Sequence, residues 1–568
     1  MPTTATLTSS NYSSQVQNLK PIPQSNSLAE SILSAPSYHT GLIKIQGPFT
    51  NRQLESIIDG IIYLKTLGLI PIIVLDDEDW HSPTTNLHLP SNPFKTALLF
   101  PLNPRQNRRD SINRQTERLT KILEERGAQT TPINLGLFKL TDHSNQDRDG
   151  PDLQIDNLNI IRSALFHHQI PIIPPIALNS SCNFVAVSAD QVLKLLAKAL
   201  AQFNPSKFKS NSNHSSHHSN FLNNNNNNNN NNQINLTPLR LMVINREGGI
   251  PSPARNGYPH LSINLASEFD FINQTFRWHH SHPTSLNNLT MIKSCLQYLP
   301  NESSAIIVSH RSPRSLIANL ITNKPAHSPS LKHSFLLSHS RQIGLATPTL
   351  IRKGLPIKVI RQTQNINKQK LSSLLQESFQ KQLNQISFFT RLEKSLRFAI
   401  IAGDYQGAVI VTNEIDQFAI EPVVYLDKFA VLPSLQGEGV VDFLWGALRD
   451  ESFGLGNLDA LNNNGGLSGH GTPVDLVWRS RTQNPVNRWY FERSNGFIKI
   501  GQPINSSPNG PEFSLFWCYA DWGDSNPYHS DKENSSQLKK TLLDDLSIAS
   551  RKIQNWSRIV KQIPSSWL

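Results

Sequence analysis

The sequence predicts an α/β protein of two domains. At 568 residues, the chain is too long for one ordinary hydrophobic core. Near its beginning, an apolar run at 42–45, an amphipathic stretch at 51–67 and a second apolar run at 69–75 follow one another. Strand, helix and strand in this order are typical of a parallel sheet covered by helices. A strand, a glycine-rich turn and a helix at 425–448 predict a second α/β unit further along the chain.

The first unit is predicted to begin at Gly41. Its first helix ends at Gly68, and its apolar side chains recur on one helical face: Leu54, Ile57, Ile58, Ile61 and Ile62. Short apolar runs at 239–244 and 305–308 predict further strands. Residues 205–235 differ in composition, because Ser, His and Asn alternate there and ten consecutive asparagines follow. Such a segment buries too little apolar surface to offset its ordering entropy, so we predict a disordered insertion.

The composition narrows the class of protein. Lys and Arg outnumber Asp and Glu by 53 to 42, and this net charge of +11 suits an anionic ligand or a nucleic acid. Arginines cluster at 105–118, but Glu117, Glu124 and Glu125 lie in the same stretch, which favours a solvated helix over a nucleic-acid arm. The three cysteines are widely separated, and the histidines lack partners at metal-ligand spacing. We therefore predict no disulfide scaffold, no metal site and, without a run of about 18 apolar residues, no membrane span.

The beginning of the chain resembles a targeting segment in part. Residues 1–29 contain no acidic residue and many Ser, Thr, Asn and Gln, as in a mitochondrial transit segment. Lys20 is the only basic residue there, and no arginine precedes Arg52. A disordered tail without a targeting role is the alternative.

The second unit is predicted to contain two helices, three strands and a further helix in that order. An amphipathic helix ends near Phe379, two strands at 398–402 and 408–412 flank a turn, and a third strand covers 422–432. The helix that follows begins near Val440. Beyond it we predict a strand at 475–479, a helix at 485–494, a strand at 513–519 and a last helix at 538–560.

The turn between the third strand and its helix has the pattern Gln436-x-x-Gly439. Glycines allow a ligand to approach the backbone closely, and the free N–H groups of a first helical turn bind phosphates. An ordinary strand-turn-helix without a ligand has the same spacing, so this pattern alone leaves both interpretations open.

Two motifs around this turn carry a family resemblance. Tyr425-Leu-Asp-Lys-Phe429 and Trp478-Arg-Ser-Arg481, the latter followed by Asn484-Pro-Val-Asn-Arg-Trp-Tyr-Phe491, closely resemble the GNAT acetyltransferase domain of N-acetylglutamate synthases. The segments 241–252 and 259–265 are similar, more weakly, to the fungal mitochondrial branch of the same family. The resemblance implies an amino-acid N-acetyltransferase that transfers acetyl from acetyl-CoA to L-glutamate, in the first step of arginine biosynthesis.

The resemblance also implies a domain plan. Residues 1–40 are expected to be a transit segment, 41–352 an amino-acid-kinase-like parallel-sheet domain with a regulatory role, 353–530 the GNAT domain and 531–568 a C-terminal helix. The implied location is the mitochondrial matrix. The implied partners are L-glutamate, L-arginine as an allosteric inhibitor, a second copy of the chain and acetylglutamate kinase, with no nucleic acid and no metal.

The resemblance assigns roles to individual residues. The pantetheine arm and the pyrophosphate of acetyl-CoA are expected at Ala430, Val431, Leu432, Gln436, Gly437, Glu438, Gly439, Val440 and Val441. The glutamate carboxylates are expected at Lys428, Arg479 and Arg481, because arginine forks suit carboxylates. Tyr490 is the expected general acid, and Asn484 is expected to position the amine or the thioester. The alternatives are surface ion pairs for the three cations and a core aromatic for Tyr490.

Two other functions remain alternatives from the residues. Lys44-Ile-Gln-Gly47 places a lysine at the end of the first strand, where it would contact a transferring phosphate in an acetylglutamate kinase. Gln46, however, stands where an active kinase of this type has glycine. A non-catalytic regulatory partner of such a kinase is the second alternative.

Overall fold

A computed structural model describes residues 39–80, 104–141, 152–202, 235–311, 323–331, 336, 343–417, 421–450, 454–455, 474–501, 510–520 and 535–568. Almost all of the predicted transit segment lies outside these residues. The predicted insertion at 205–235 also lies outside them, except that Asn235 already begins a strand. No helix among the described residues is long and apolar enough to cross a membrane.

The first part of the chain forms an eight-stranded, mostly parallel sheet and a small four-stranded sheet. The strands of the large sheet, in spatial order, are β10 (Ser262–Asn264), β12 (Thr349–Arg352), β11 (Ser304–Ser309), β9 (Asn235–Asn245), β1 (His39–Gly47), β2 (Leu69–Asp77), β6 (Ile170–Ile173) and β3 (Thr130–Pro132). The small sheet contains β5 (Asp152–Ile155), β4 (Phe138–Thr141), β7 (Ile176–Leu178) and β8 (Phe184–Ala186). In the large sheet, only the β11–β12 pair is antiparallel.

Helices cover both faces of the large sheet. They are α1 (Asn51–Thr66), α2 (Pro104–Glu125), α3 (Asn159–Phe166), α4 (Ala189–Gln202), α5 (Leu265–Thr275) and α6 (Ser285–Leu296). Side chains of α1 and α2 form one apolar core with the sheet, and side chains of α3 to α6 form another on its opposite face. The strands are therefore buried on both sides, which explains why β1 and β2 are almost continuously apolar.

The second part of the chain forms a seven-stranded sheet. Its strands, in spatial order, are β13 (Ile357–Ile360), β14 (Leu396–Ala402), β15 (Gly407–Glu414), β16 (Val423–Val431), β17 (Leu476–Arg481), β19 (Phe513–Cys518) and β18 (Gly496–Gly501). The helices are α7 (Lys368–Phe379), α8 (Gln385–Ser395), α9 (Val440–Arg449), α10 (Asn487–Phe491) and α11 (Ser535–Gln562). The predicted order of two helices, three strands and a helix is confirmed.

The helices of this part divide between the two faces of its sheet. Apolar side chains of α7, α8 and α11 pack on one face, and those of α9 and α10 pack on the other. Between the two central strands, β16 and β17, the pairing is confined to Tyr425 and Val477. The strands then diverge and leave a gap in the middle of the sheet, with a different set of side chains on each face.

The fold class is confirmed, since an α/β domain with a mostly parallel sheet precedes a smaller mixed sheet. The first sheet ends with Arg352, and the second begins at Ile357. Strand β18 was not predicted from the sequence. It lies at the edge of the sheet and its residues are mostly half-buried or exposed, so it lacks the apolar run that reveals a central strand.

Candidate active site

The glycine-rich turn after β16 has the geometry that its sequence predicts. Gly437 and Gly439 adopt left-handed backbone conformations with φ of +89° and +84°, which side chains with a Cβ disfavour. Gly439 is the N-cap residue of α9, and no side chain caps this helix. The N–H groups of the first turn of α9 are therefore available to an anion, which the positive end of the helix dipole also attracts.

A cation from the first sheet lies beside this turn. A Cβ added at Gly439 would lie 2.7 Å from Nη1 of Arg352, the last residue of β12. The same guanidinium donates a hydrogen bond from Nη2 to the carbonyl of Asn323. Burial lowers the pKa of Arg352, and the nearby carboxylates of Glu438 and Asp442 act in the opposite direction. Sequence reasoning missed Arg352, because its distance of 87 residues from Gly439 in the chain gives no sign of the contact.

Lys428 lies on the face of the sheet that α8 and α11 cover. Its Nζ donates to Oδ2 of Asp427 at 3.0 Å, to the carbonyl of Asp427 at 3.2 Å and to Oγ of Ser566 at 3.1 Å. Burial lowers the pKa of Lys428, and Asp427 opposes this effect. The preceding residue, Asp427, thus pairs with this buried ammonium.

Asp427 belongs to a network of charges. Arg391 of α8 contacts Asp427 with Nη2 and donates from Nη1 to Glu414 at 2.6 Å. Burial alone would raise the pKa of Asp427, but Lys428 and Arg391 hold it below its ordinary value. The carboxylate is therefore ionised at neutral pH and fixes Lys428 in position.

Arg479 and Arg481 follow the point where β17 leaves β16. Nη1 and Nη2 of Arg479 donate to the carbonyls of Val560 and Ile563, each at 2.8 Å, and its guanidinium also lies 5.2 Å from the ring centre of Phe513. The side chain of Arg481 is exposed. Alternate residues of a strand point to the same face, so both arginines belong to the face that contains Val477 and α11.

Tyr490 and Asn484 lie on the opposite side, with α9 and α10. The ring of Tyr490 packs against Trp478, Trp489 and Phe516, with centroids 5.4–5.6 Å apart. Burial raises the pKa of the Tyr490 phenol above its ordinary value, so the hydroxyl stays protonated. Asn484 donates from Nδ2 to Oγ of Ser480 at 3.0 Å.

The backbone of Ala430, Val431 and Leu432 borders the same gap. Ala430 and Val431 pair with β15, and the N–H of Leu432 donates to the carbonyl of Gln406 at 3.0 Å. Because β16 pairs with β17 only at Tyr425, the other edge of these residues has no strand beside it. A linear polar chain can therefore approach this edge, although the carbonyl of Val431 already accepts from Oγ of Ser378 at 3.1 Å.

The arrangement separates two chemical environments. One face of the gap carries fixed cations, and the other carries a protonated phenol, with an anion-binding helix start at one end. A small anionic substrate and a phosphate-bearing cofactor can thus approach one another from opposite faces through the gap. Arg481 is exposed, whereas Lys428 and Arg479 are held by hydrogen bonds to residues 560–566, and the structure adds Arg352, Arg391 and Asp427 to the predicted set.

Comparison with known proteins identifies the family. Residues 358–455 and 470–542 match the N-acetyltransferase domain of N-acetylglutamate synthase. The mitochondrial amino-acid acetyltransferase of Laccaria bicolor is 41% identical over 559 residues, which cover 96% of this chain and 88% of the relative. The corresponding protein of Coprinopsis cinerea is also 41% identical, over 94% of this chain and 80% of the relative.

A solved structure of N-acetylglutamate synthase from Neisseria gonorrhoeae, complexed with coenzyme A and N-acetyl-glutamate, is similar at 13% identity with a TM-score of 0.45. This similarity covers 87% of this chain and 98% of that one. The identity over almost the whole chain, rather than this distant similarity, is what decides the family. The chain therefore belongs to the mitochondrial amino-acid acetyltransferases, with an acetyltransferase domain of the N-acetylglutamate synthase type.

Proposed function

We propose that the protein is an N-acetylglutamate synthase, which transfers acetyl from acetyl-CoA to the amino group of L-glutamate. The observation that carries this proposal is the gap between β16 and β17, with Lys428 on one face and Tyr490 on the other. A transferase that joins an anionic amino acid to a thioester needs this separation, because each substrate must enter without displacing the other.

The residues present fit acetyl-CoA. The uncapped start of α9 and the close approach of the backbone at Gly439 suit a pyrophosphate, and Arg352 adds a positive charge beside the turn. The other residues of this turn, which are also proposed to contact the cofactor, are Gln436, Gly437, Glu438, Val440 and Val441. The pantetheine arm is proposed to lie along Ala430, Val431 and Leu432, where β16 has diverged from β17. When bound, acetyl-CoA supplies the thioester that the amine attacks.

Lys428, Arg479 and Arg481 are proposed to bind the two carboxylates of glutamate. Arg479 uses two of its donors on the carbonyls of Val560 and Ile563, so three of the five N–H groups of its guanidinium remain for a ligand. Lys428 is held by Asp427. It contributes a single positive charge, whereas an arginine offers two parallel N–H donors to a carboxylate. Fixed cations favour a dicarboxylic amino acid over a neutral one, because an unpaired charge in the site would be costly.

In the proposed reaction, the neutral amine forms a C–N bond to the acetyl carbon as the C–S bond breaks, and the nitrogen then loses a proton, which restores the Tyr490 phenol by way of solvent. Tyr490 donates its phenolic proton to the departing thiolate, and Asn484 positions the thioester or the amine. Among the described residues, no side chain hydrogen-bonds the Tyr490 hydroxyl, so this donor is available. Its raised pKa keeps the phenol protonated at neutral pH but also makes its proton harder to give up, so the developing thiolate must lie close to the hydroxyl.

The first domain is proposed to bind L-arginine and to assemble copies of the chain or acetylglutamate kinase. Lys44, which would contact the transferring phosphate of a kinase, is buried and bonded to Asp76, Asp190 and Asn288. These contacts give Lys44 a structural role. We therefore propose a regulatory role for this domain rather than a second reaction.

One assay tests the proposed function. The full chain is incubated with acetyl-CoA, L-glutamate and ATP, and a parallel tube contains acetylglutamate in place of glutamate. We expect release of free CoA that depends on glutamate. Release of ADP from acetylglutamate would instead indicate the kinase, and neither product would indicate a non-catalytic partner.

A further inference from the structure

We propose that the segment Ile563 to Leu568, which follows α11, is a wall of the amino-acid pocket and positions its cations. This inference rests on the proposed function. The match to the acetyltransferase domain ends at residue 542, so the end of α11 and this segment lie beyond it. The contacts of these residues with the pocket are therefore observed in the structure and do not follow from the domain match.

The end of α11 fixes the guanidinium of Arg479. The carbonyls of Val560 and Ile563 each accept a hydrogen bond from a different Nη atom at 2.8 Å. Carbonyls in the last turn of a helix lack the usual partner four residues on, although that of Val560 also accepts from the N–H of Ile563 at 3.3 Å, and the negative end of the helix dipole attracts a cation. The two bonds orient the plane of the guanidinium, so the direction of its remaining donors is set before a ligand arrives.

Ser566 does the same for Lys428. Its Oγ accepts from Nζ at 3.1 Å, in addition to the two contacts that the same ammonium makes with Asp427. Without Ser566, Asp427 is the remaining hydrogen-bond partner of the ammonium among the described residues, so we expect the position of Nζ to be less well fixed. The long contact to the carbonyl of Asp427, at 3.2 Å, is the one that a substrate carboxylate can replace most easily.

The segment is held against the loop between α7 and α8. The N–H of Asn384 donates to the carbonyl of Ser566 at 3.0 Å, and the N–H of Leu568 donates to the carbonyl of Gln382 at 3.1 Å. Trp567 forms a bridge with Leu383, and its ring lies 5.0 Å from that of Phe379. Backbone bonds on both sides of Trp567 make the segment a fixed part of the pocket.

The test compares Ser566→Ala with Ser566→Thr, which keeps a hydroxyl. We expect the KM for glutamate to rise about tenfold in Ser566→Ala, as for a lost hydrogen bond to a charged group. The kcat and the KM for acetyl-CoA should change by less than about twofold, and Ser566→Thr should restore most of the glutamate KM. The inhibition constant of N-acetylglutamate should rise by the same factor.

Removal of residues 563–568 extends the test. Its control is Lys552→Gln, because Lys552 lies earlier in α11 and pairs with Asp475, away from the segment. We expect the shortened chain to show a larger rise in the glutamate KM and the control to show none. An unchanged glutamate KM in Ser566→Ala would overturn the inference. A lower KM would also overturn it, because it would show that the segment blocks the pocket. If the unaltered protein neither released CoA with glutamate nor bound N-acetylglutamate, the proposed function itself would fail and the inference with it.

Discussion

At the scale of single residues, burial acts in opposite directions on two groups of the candidate site. It lowers the pKa of Lys428, whose charged form is expensive to bury, and raises that of Tyr490, whose neutral form is favoured. The ionised carboxylate of Asp427 beside Lys428 opposes this lowering of its pKa. Tyr490 keeps its proton because the aromatic rings around it solvate a phenolate poorly.

Tyr490→Phe tests the proposed acid. The change removes only the hydroxyl, and the ring contacts with Trp478 and Phe516 remain. We expect kcat to fall about 100-fold, within the range for general acid catalysis, with little change in the KM for acetyl-CoA. Rates of CoA release under conditions where chemistry limits turnover provide the measurement. An unchanged kcat there would return Tyr490 to a packing role.

The lowered pKa of Lys428 predicts a pH dependence of binding. N-acetylglutamate has no titrating amine, so its inhibition constant reports the cations of the pocket. Above the pKa of Lys428, which lies below the ordinary lysine value, the ammonium loses its charge and the inhibition constant should rise about tenfold for each pH unit. At lower pH, as long as the carboxylates are ionised, it should be constant.

Lys428→Arg is the matched control, because arginine keeps its charge throughout this range. N-acetylglutamate should bind this variant more weakly at neutral pH. Its inhibition constant should not rise at alkaline pH through the titration of residue 428. The same alkaline rise in both proteins would assign the titration to another group.

The sequence could predict part of the site at this scale. Lys428, Arg479 and Tyr490 lie in continuous motifs, where neighbouring residues support the assignment. Arg352 and Ser566 reach the site from distant parts of the chain, and only the packing of the two sheets and of α11 brings them there. No local pattern carries that information.

At the scale of elements, the turn before α9 depends on two glycines that differ in surroundings. A Cβ at Gly437 would have no atom within 4 Å, whereas a Cβ at Gly439 would meet Arg352. Both residues have positive φ, so alanine costs about 1–2 kcal/mol of strain at either position. The pair therefore separates backbone strain from the effect on Arg352.

We expect Gly439→Ala to raise the KM for acetyl-CoA about tenfold, because it displaces Arg352 and alters the start of α9. Gly437→Ala should raise this KM about threefold. That factor corresponds to about 0.6 kcal/mol of backbone strain that is present with acetyl-CoA bound and relieved in the free protein. The KM for glutamate is the internal control and should change little in both. Equal effects of the two substitutions on acetyl-CoA would show that Arg352 takes no part in binding it.

Elements with a strong apolar pattern were predictable, and those without one were not. The helix α1 and the strands β1, β2 and β16 have periodic or continuous apolar residues, and their predicted bounds are confirmed within a few residues. The strands of the small sheet have three or four residues each, so too few positions exist to show a period.

At the scale of the whole molecule, polar side chains connect the first domain to the second near the glycine-rich turn that precedes α9. Arg493, which follows α10, donates from Nε to Oγ of Ser330 and from Nη2 to Oγ of Ser328, both at 2.7 Å. The two serines donate to Oδ1 of Asp442, in the first turn of α9, at 2.8 and 2.5 Å. A segment of the first domain thus contacts both helices on the cofactor side of the gap.

This connection between the domains predicts a route for feedback by L-arginine, which we propose binds the first domain. An effector alters a distant site only when it binds two states unequally, and the coupling is typically about 1–3 kcal/mol. Movement of the segment that carries Ser328 and Ser330 would shift α9 and Arg493 together. Saturating arginine should therefore lower the rate of the unaltered protein or raise its KM for glutamate.

The double change Ser328→Ala and Ser330→Ala should weaken this response. It leaves Arg493 and Asp442 at 3.4 Å, so the buried charge keeps a partner and the second domain stays intact. We expect a basal kcat within about threefold of the unaltered value and an arginine effect reduced by about 1 kcal/mol, or roughly fivefold. Ser373→Ala, on the exposed surface of α7, is the control. An identical arginine response in the double variant would show that the signal passes elsewhere, and no response in the unaltered protein would remove the regulatory role of the first domain.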